Sequence, residues 1–419
     1  MIDACRAGNN TVDKKTVPIV FVPGVMGSRL HFTDIGEYWN PDSKWDMVHW
    51  LRVSYERVAN EIDFEAPAEV MTNKVHGALA PNELDRGWEG VSWKFYVPFL
   101  RFLNNEVFPS AETPVYARGY DWRQSNSLSG AVLAQQIDEI LELEDAKQVI
   151  ICTHSMGGLV TRAAIKHDAS LNDKVAGVIH VVQPASGAPA AYRRFFTGAV
   201  KAIDGGWAFA SILGNKGFKY TEIISGLPGP FQLIPFPTYY DQDAGGNPTD
   251  WLTEEVSGNT QPVTGNIHDA YGSAQSPPGL YNPNNHDSSR RNAVSTAISA
   301  RLATTKAFHC WLDPFKHPNT YSIYGTGLEA DMATHIDAQR EAHPVRRNES
   351  DGTVPETSGA YLFPTQTSRI TNIPDDVTKP SPRQFSVTGV EHSESYNDGG
   401  LRDAVTKLIT RILFGSKDP

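Results

Sequence analysis

Val149-Ile-Ile-Cys-Thr-His-Ser-Met-Gly-Gly158 is the stretch from which the rest of the chain is best read. Its apolar, β-branched start reads as a buried strand, and Met156 to His167 then repeats apolar residues at helical spacing. A serine on a sharp strand-to-helix turn projects its hydroxyl above the sheet edge, where a base reaches it. Small residues are wanted two places either side because the turn crowds the backbone. Gly157 meets that need, whereas Thr153 replaces the usual glycine on the other side and leaves GxSxG incomplete. Ser155 is therefore the expected nucleophile. The helix after it aims its first amides at the same place, which helps to hold negative charge. His154 is adjacent to the serine and points elsewhere, so it is not expected to be the base. Cys152 reads as a small buried hydrophobe.

Outward from this turn the pattern repeats. Val17–Val22, Lys147–Cys152, Val175–Val182, Tyr321–Tyr324 and Phe385–Val390 read as strands, with Leu128–Leu143 and Leu401–Phe414 as amphipathic helices. Alternation of this kind means βαβ units and a mostly parallel sheet with helices on both faces. Residues 37–105 hold five of the nine tryptophans, and residues 187–318 are rich in Gly and Pro between 226 and 284. Neither fits the loop lengths of a compact sheet, so both are expected to be cap or lid insertions. The core is then 1–36, 106–186 and 319–419.

An esterase-type triad on such a sheet runs Ser, then Asp or Glu, then His. Of thirteen histidines only His392 follows Asp351, the best acid candidate. Asp351-Gly352 marks a tight turn that fixes a carboxylate, and His392 lies just past a strand end, where catalytic groups of parallel sheets collect. Oxyanion stabilisation needs two backbone N–H groups. Met156 supplies one; Val25, in the Gly-rich loop Pro23–Ser28, is the expected second donor. That loop lacks GxxxxGK[ST] and GxGxxG, so no nucleotide cofactor is expected.

These blocks resemble the lecithin:cholesterol acyltransferase family of α/β-hydrolases. The likeness rests on Pro18–Leu30, Gly119-Tyr-Asp-Trp-Arg123, Thr153–Gly158, Tyr324-Gly-Thr-Gly327, Asp351-Gly-Thr-Val-Pro355 and His392. It implies the α/β-hydrolase fold with large cap insertions, and acyl-enzyme chemistry on lipid esters by Ser155, Asp351 and His392, with Val25 and Met156 as oxyanion donors. It also implies transient contact of the cap with a membrane surface. Secreted members brace the first insertion with a disulfide, yet 37–105 contains no cysteine. Asp121 and Arg123 read independently as a structural ion pair.

Composition sets the remaining bounds. A net charge of −11 speaks against a general nucleic-acid binder. The cysteines, Cys5, Cys152 and Cys310, suit neither a disulfide framework nor a metal cluster, and neither CxxC nor HExxH occurs. No metal and no cofactor are expected. The long uncharged runs Val175–Tyr192 and Ile223–Tyr240 contain too many prolines to span a bilayer. Met1–Asp13 shows no apolar signal region. That suits either a cytoplasmic location or export without a visible signal, and oligomeric state stays open. A serine acyl hydrolase is the leading reading. Acyl transfer to an alcohol and a catalytically idle binding protein are the alternatives, the second weakened by the presence of all three triad residues.

Overall fold

The computed structural model describes residues 16–72, 79–108, 112–199, 212–243, 246–262, 288–339 and 341–415. Met1–Asp13, Cys5 and part of the Gly/Pro-rich stretch lie outside them. Seven parallel strands form the central sheet: β1 (Ile19–Val22), β2 (Val115–Ala117), β3 (Val149–His154), β4 (Val175–Val181), β5 (Thr320–Thr326), β6 (Thr367–Arg369) and β7 (Gln384–Thr388). Their order is β6-β7-β5-β4-β3-β1-β2. This is the α/β-hydrolase architecture that the sequence leads one to expect.

The apolar runs are continuous because the sheet is covered on both faces. Val20, Val22, Ile151 and Val178 pack on one side with Ile137, Val160 and Ala164. Their neighbours Ile19, Phe21, Ile150, Cys152 and Ile179 pack on the other, with Phe99, Leu401, Val405 and Leu408. Each fully buried aliphatic side chain contributes roughly 1.5–3 kcal/mol of transfer free energy.

The intervening stretches build further layers. Residues 37–105 include α1 (Lys44–Arg52) and α2 (Trp93–Arg101). Trp39, Trp50 and Trp88 are buried there, while Trp45 is 87% exposed. The second stretch contributes α3 (Pro189–Thr197), α4 (Gly217–Ser225) and the long α5 (Ser288–Leu312). Its strand Leu252–Val256 runs parallel to Leu328–Ile336, which pairs antiparallel with Ala342–Ser350. That hairpin lies within the range read as core, yet it shares a four-stranded sheet with Leu252–Val256 from residues 187–318. Non-local pairing of this kind leaves no mark in local pattern. Among the described residues no helix is long and apolar enough to cross a membrane.

Candidate active site

Register brings the loops together. Phe21 sits beside Cys152 and Val22 beside Thr153, so the loop after β1 meets the turn after β3. Ser155 caps that turn at φ +50°, in the left-handed region that costs a side-chain-bearing residue about 1–2 kcal/mol. Its N–H donates to the Val181 carbonyl at 3.0 Å, which ties the strained residue to β4. A Cβ at Gly157 would lie 2.4 Å from the Pro23 carbonyl, hence the glycine. At position 153 the turn tolerates threonine, whose hydroxyl pairs with His180 Nδ1 at 2.9 Å.

The structure brings Ser155, Asp351 and His392 into one chain of hydrogen bonds. Ser155 Oγ is 2.9 Å from His392 Nε2, and His392 Nδ1 is 2.7 Å from Asp351 Oδ2. Asp351 Oδ1 accepts the N–H groups of Thr353 at 3.0 Å and Val354 at 2.7 Å, so the Asp-Gly turn holds the carboxylate rigidly. Gly325 makes room for it, since a Cβ there would be 2.4 Å from Asp351 Cβ. Burial favours neutral His392, but the Asp351 charge and hydrogen bond outweigh it and raise the imidazole above its ordinary value. Glu391 raises it further and Arg194 opposes.

The loop Gly24–Gly27 is a turn closed by Gly27 N–H to the Gly24 carbonyl at 3.0 Å, with Met26 at φ +59°. Among the described residues nothing accepts the N–H of Val25 or of Met156. Tyr120 supports this loop, its hydroxyl donating to the Pro23 carbonyl at 3.1 Å. Arg123 grips Asp121 with Nε at 2.9 Å and Nη2 at 2.7 Å, and also donates to the Asp63 and Ala66 carbonyls. The pair thus ties the loop after β2 to residues 63–66.

Above Ser155 and His392 lies a cavity of about 220 Å³, walled mainly by apolar side chains, among them Val25, Ala190, Leu213, Ile224 and Leu233. Cys152 is buried in the sheet, and that burial pushes its thiol up. The one described group of side chains able to converge on a metal is Asp337, Glu341 and His343, whose donor atoms lie within 4.8 Å of one another on the 328–350 hairpin. Asp337 and His343 already pair at 2.7 Å, and nothing there asks for an ion.

Residues 100–209, which carry the Tyr-Asp-Trp-Arg block and the serine turn, match the family model for lecithin:cholesterol acyltransferase. Over those residues the chain is similar to the lecithin:cholesterol acyltransferase family, on an α/β-hydrolase fold. Lecithin-cholesterol acyltransferase-like 4 of Arabidopsis thaliana is 25% identical over 196 residues, 42% of this chain. The match spans only 36% of that relative's length. In the solved Tle4–Tli4 complex, one chain superposes with a TM-score of 0.69 at 19% identity, over 95% of this chain and 98% of that one. At that identity the likeness speaks for the fold.

Tyr96 escapes the sequence reading, and His154 is weighed there only as a base. Tyr96 and His154 contact the same loops that carry the Ser155–His392 pair. Tyr96 belongs to the aromatic-rich stretch 37–105, where nothing local marks one tyrosine out from its neighbours.

Proposed function

We propose that the chain is a serine acyl hydrolase that cleaves carboxylic esters with apolar acyl groups, lipid esters above all, through an acyl-enzyme. The observation that carries this reading is the Ser155–His392–Asp351 chain opening onto an apolar cavity. His392 Nε2 takes the Ser155 Oγ proton as Oγ attacks the ester carbonyl. The tetrahedral oxyanion lies against the N–H groups of Val25 and Met156. Asp351 stabilises the imidazolium and fixes its tautomer. His392 then hands the proton to the leaving alcohol, and the cycle repeats with the second nucleophile. Water gives hydrolysis. The family likeness over residues 100–209 supports a second reading, in which an alcohol takes the acyl group.

Residues 37–105 and 187–318 act as the cap in this proposal, and exposed Trp45 offers an apolar point of contact with a lipid surface. The test is a panel of acyl esters and phospholipids, with and without an alcohol acceptor, and products separated by mass. Release of free fatty acid supports hydrolysis, and a new ester supports transfer. Turnover of none of them, with no labelling by an organophosphonate, overturns the reading.

A further inference from the structure

We infer that Tyr96 and His154 are positioning residues that clamp the oxyanion loop to the backbone of His392. The inference rests on the acyl-enzyme reading and adds residues that the triad and the oxyanion hole do not include. The Gly24 N–H lies 3.2 Å from Tyr96 Oη, Tyr96 Oη lies 3.0 Å from His154 Nδ1, and His154 Nε2 lies 3.0 Å from the His392 carbonyl oxygen. Proton directions follow from chemistry. A carbonyl only accepts, so Nε2 carries the His154 proton. Burial, then the nearby His392 charge, lowers His154 to about 3, so the ring is neutral and Nδ1 accepts. Tyr96 must then donate its one proton to Nδ1, and its oxygen remains for the Gly24 N–H. Each of the three donor protons in the series then has one acceptor.

The parts are also sterically made for each other. His154 is 6% exposed and Tyr96 4%. A Cβ on Gly24 would fall 2.7 Å from His154 Nδ1. On its other side the His392 backbone is held by its N–H, which donates to the Asp351 carbonyl at 2.9 Å. The peptide groups flanking the base are thus fixed at both ends, and one end runs through His154 to the loop that offers Val25. Proton transfer at Nε2 and oxyanion capture at Val25 must succeed together, and a misplacement of about 1 Å costs on the order of 100-fold in rate.

The experiment measures kcat and KM on a p-nitrophenyl butyrate assay, per active site titrated by an organophosphonate, for Tyr96→Phe, His154→Leu, His154→Gln and the double variant Tyr96→Phe/His154→Leu. Titration removes misfolded protein from the comparison, and Tyr96→Phe and His154→Gln change little volume. His154→Leu is expected to lower kcat about 100-fold with KM within about threefold. His154→Gln, whose amide N–H reaches the same carbonyl, is expected to recover at least tenfold of that, with the acid limb of its pH profile unmoved. The double variant should be no worse than His154→Leu by more than about threefold, because both changes cut one chain. His154→Leu with wild-type kcat, Gln no better than Leu, or losses that multiply would each overturn the inference while the wild type still labels and turns over. A wild type that does neither overturns the acyl-enzyme reading, and the inference with it.

Discussion

Asp351 holds His392 at two points: its carbonyl accepts the His392 N–H at 2.9 Å, and its carboxylate meets the ring Nδ1 at 2.7 Å. The first contact survives Asp351→Asn and the second does not. The loop should therefore keep its place while the imidazole loses its charge partner and its tautomer. We expect kcat to fall by about four orders of magnitude with the fold intact. The pH profile gives a second readout. With Asp351 present, His392 titrates above its ordinary value, and kcat/KM falls as pH drops through that raised value. Without the carboxylate, burial is left to lower it, so the acid limb should move to lower pH. An unmoved limb would mean that another group sets it.

Ser155 combines a functional hydroxyl with a strained backbone, and the two separate by substitution. Ser155→Ala should abolish ester hydrolysis and organophosphonate labelling while leaving the melting temperature close to wild type, since Ala bears the same φ +50° strain. Ser155→Gly loses the same hydroxyl but relaxes the turn. It should be about 0.5–1 kcal/mol more stable than Ser155→Ala, the steric relief being partly offset by the freedom glycine gains in the unfolded chain. Paired denaturant curves check this. An alanine variant as stable as the glycine variant would remove strain from the account.

Much of this site was legible because its constraints are local. Val149–Ile151 followed by a serine and two glycines fits one kind of turn, and Asp351-Gly352 fits another. Chain order then leaves His392 alone among thirteen histidines. What escaped depends on distant neighbours. Val115–Ala117 and Thr367–Arg369 are three-residue strands, too short for any period to show. The 328–350 hairpin follows a strand of the central sheet closely in sequence, but its partner Leu252–Val256 lies more than 70 residues earlier. Gly325 has no local reason in the sequence to be glycine, and only the approach of Asp351 Cβ explains it. Tyr96 reaches His154 across 58 residues of separation.

Acid should destabilise this protein through its buried histidines. Burial, then the charges of Arg162 and His317, lowers His180 to about 3, against 6.5 in the unfolded chain. Its folded pKa is depressed, so the unfolded state binds more protons between those values. Stability should be fully present above pH 6.5 and decline as pH falls toward 3. His180→Asn keeps an acceptor for the Thr153 hydroxyl and removes the titration. We expect it to cost stability at neutral pH through lost packing, yet to flatten the loss between pH 7 and pH 5. Urea unfolding at several pH values measures the slope. An equally steep slope in His180→Asn would assign the acid sensitivity elsewhere.

The cavity over Ser155 makes the substrate question quantitative. Its walls are chiefly apolar, and each methylene buried there contributes roughly 0.8 kcal/mol. In a p-nitrophenyl ester series from two to sixteen carbons, kcat/KM should rise about fourfold per added carbon until the space of about 220 Å³ is filled, then level or fall. Ala190, at 3% exposure on α3, lines that space. Ala190→Leu should move the optimum to shorter chains while changing kcat on the acetyl ester by less than about threefold, since it narrows the channel without touching Ser155, His392 or the oxyanion amides. Overpacking is expected to cost about 1–3 kcal/mol of stability, so unfolding curves accompany the kinetics. An optimum at acetate in the wild type would show a small polar pocket in working conditions and would overturn the preference for lipid acyl groups, leaving the Ser155–His392–Asp351 chemistry untouched. An optimum unmoved by Ala190→Leu in a folded enzyme would place the acyl chain along another wall.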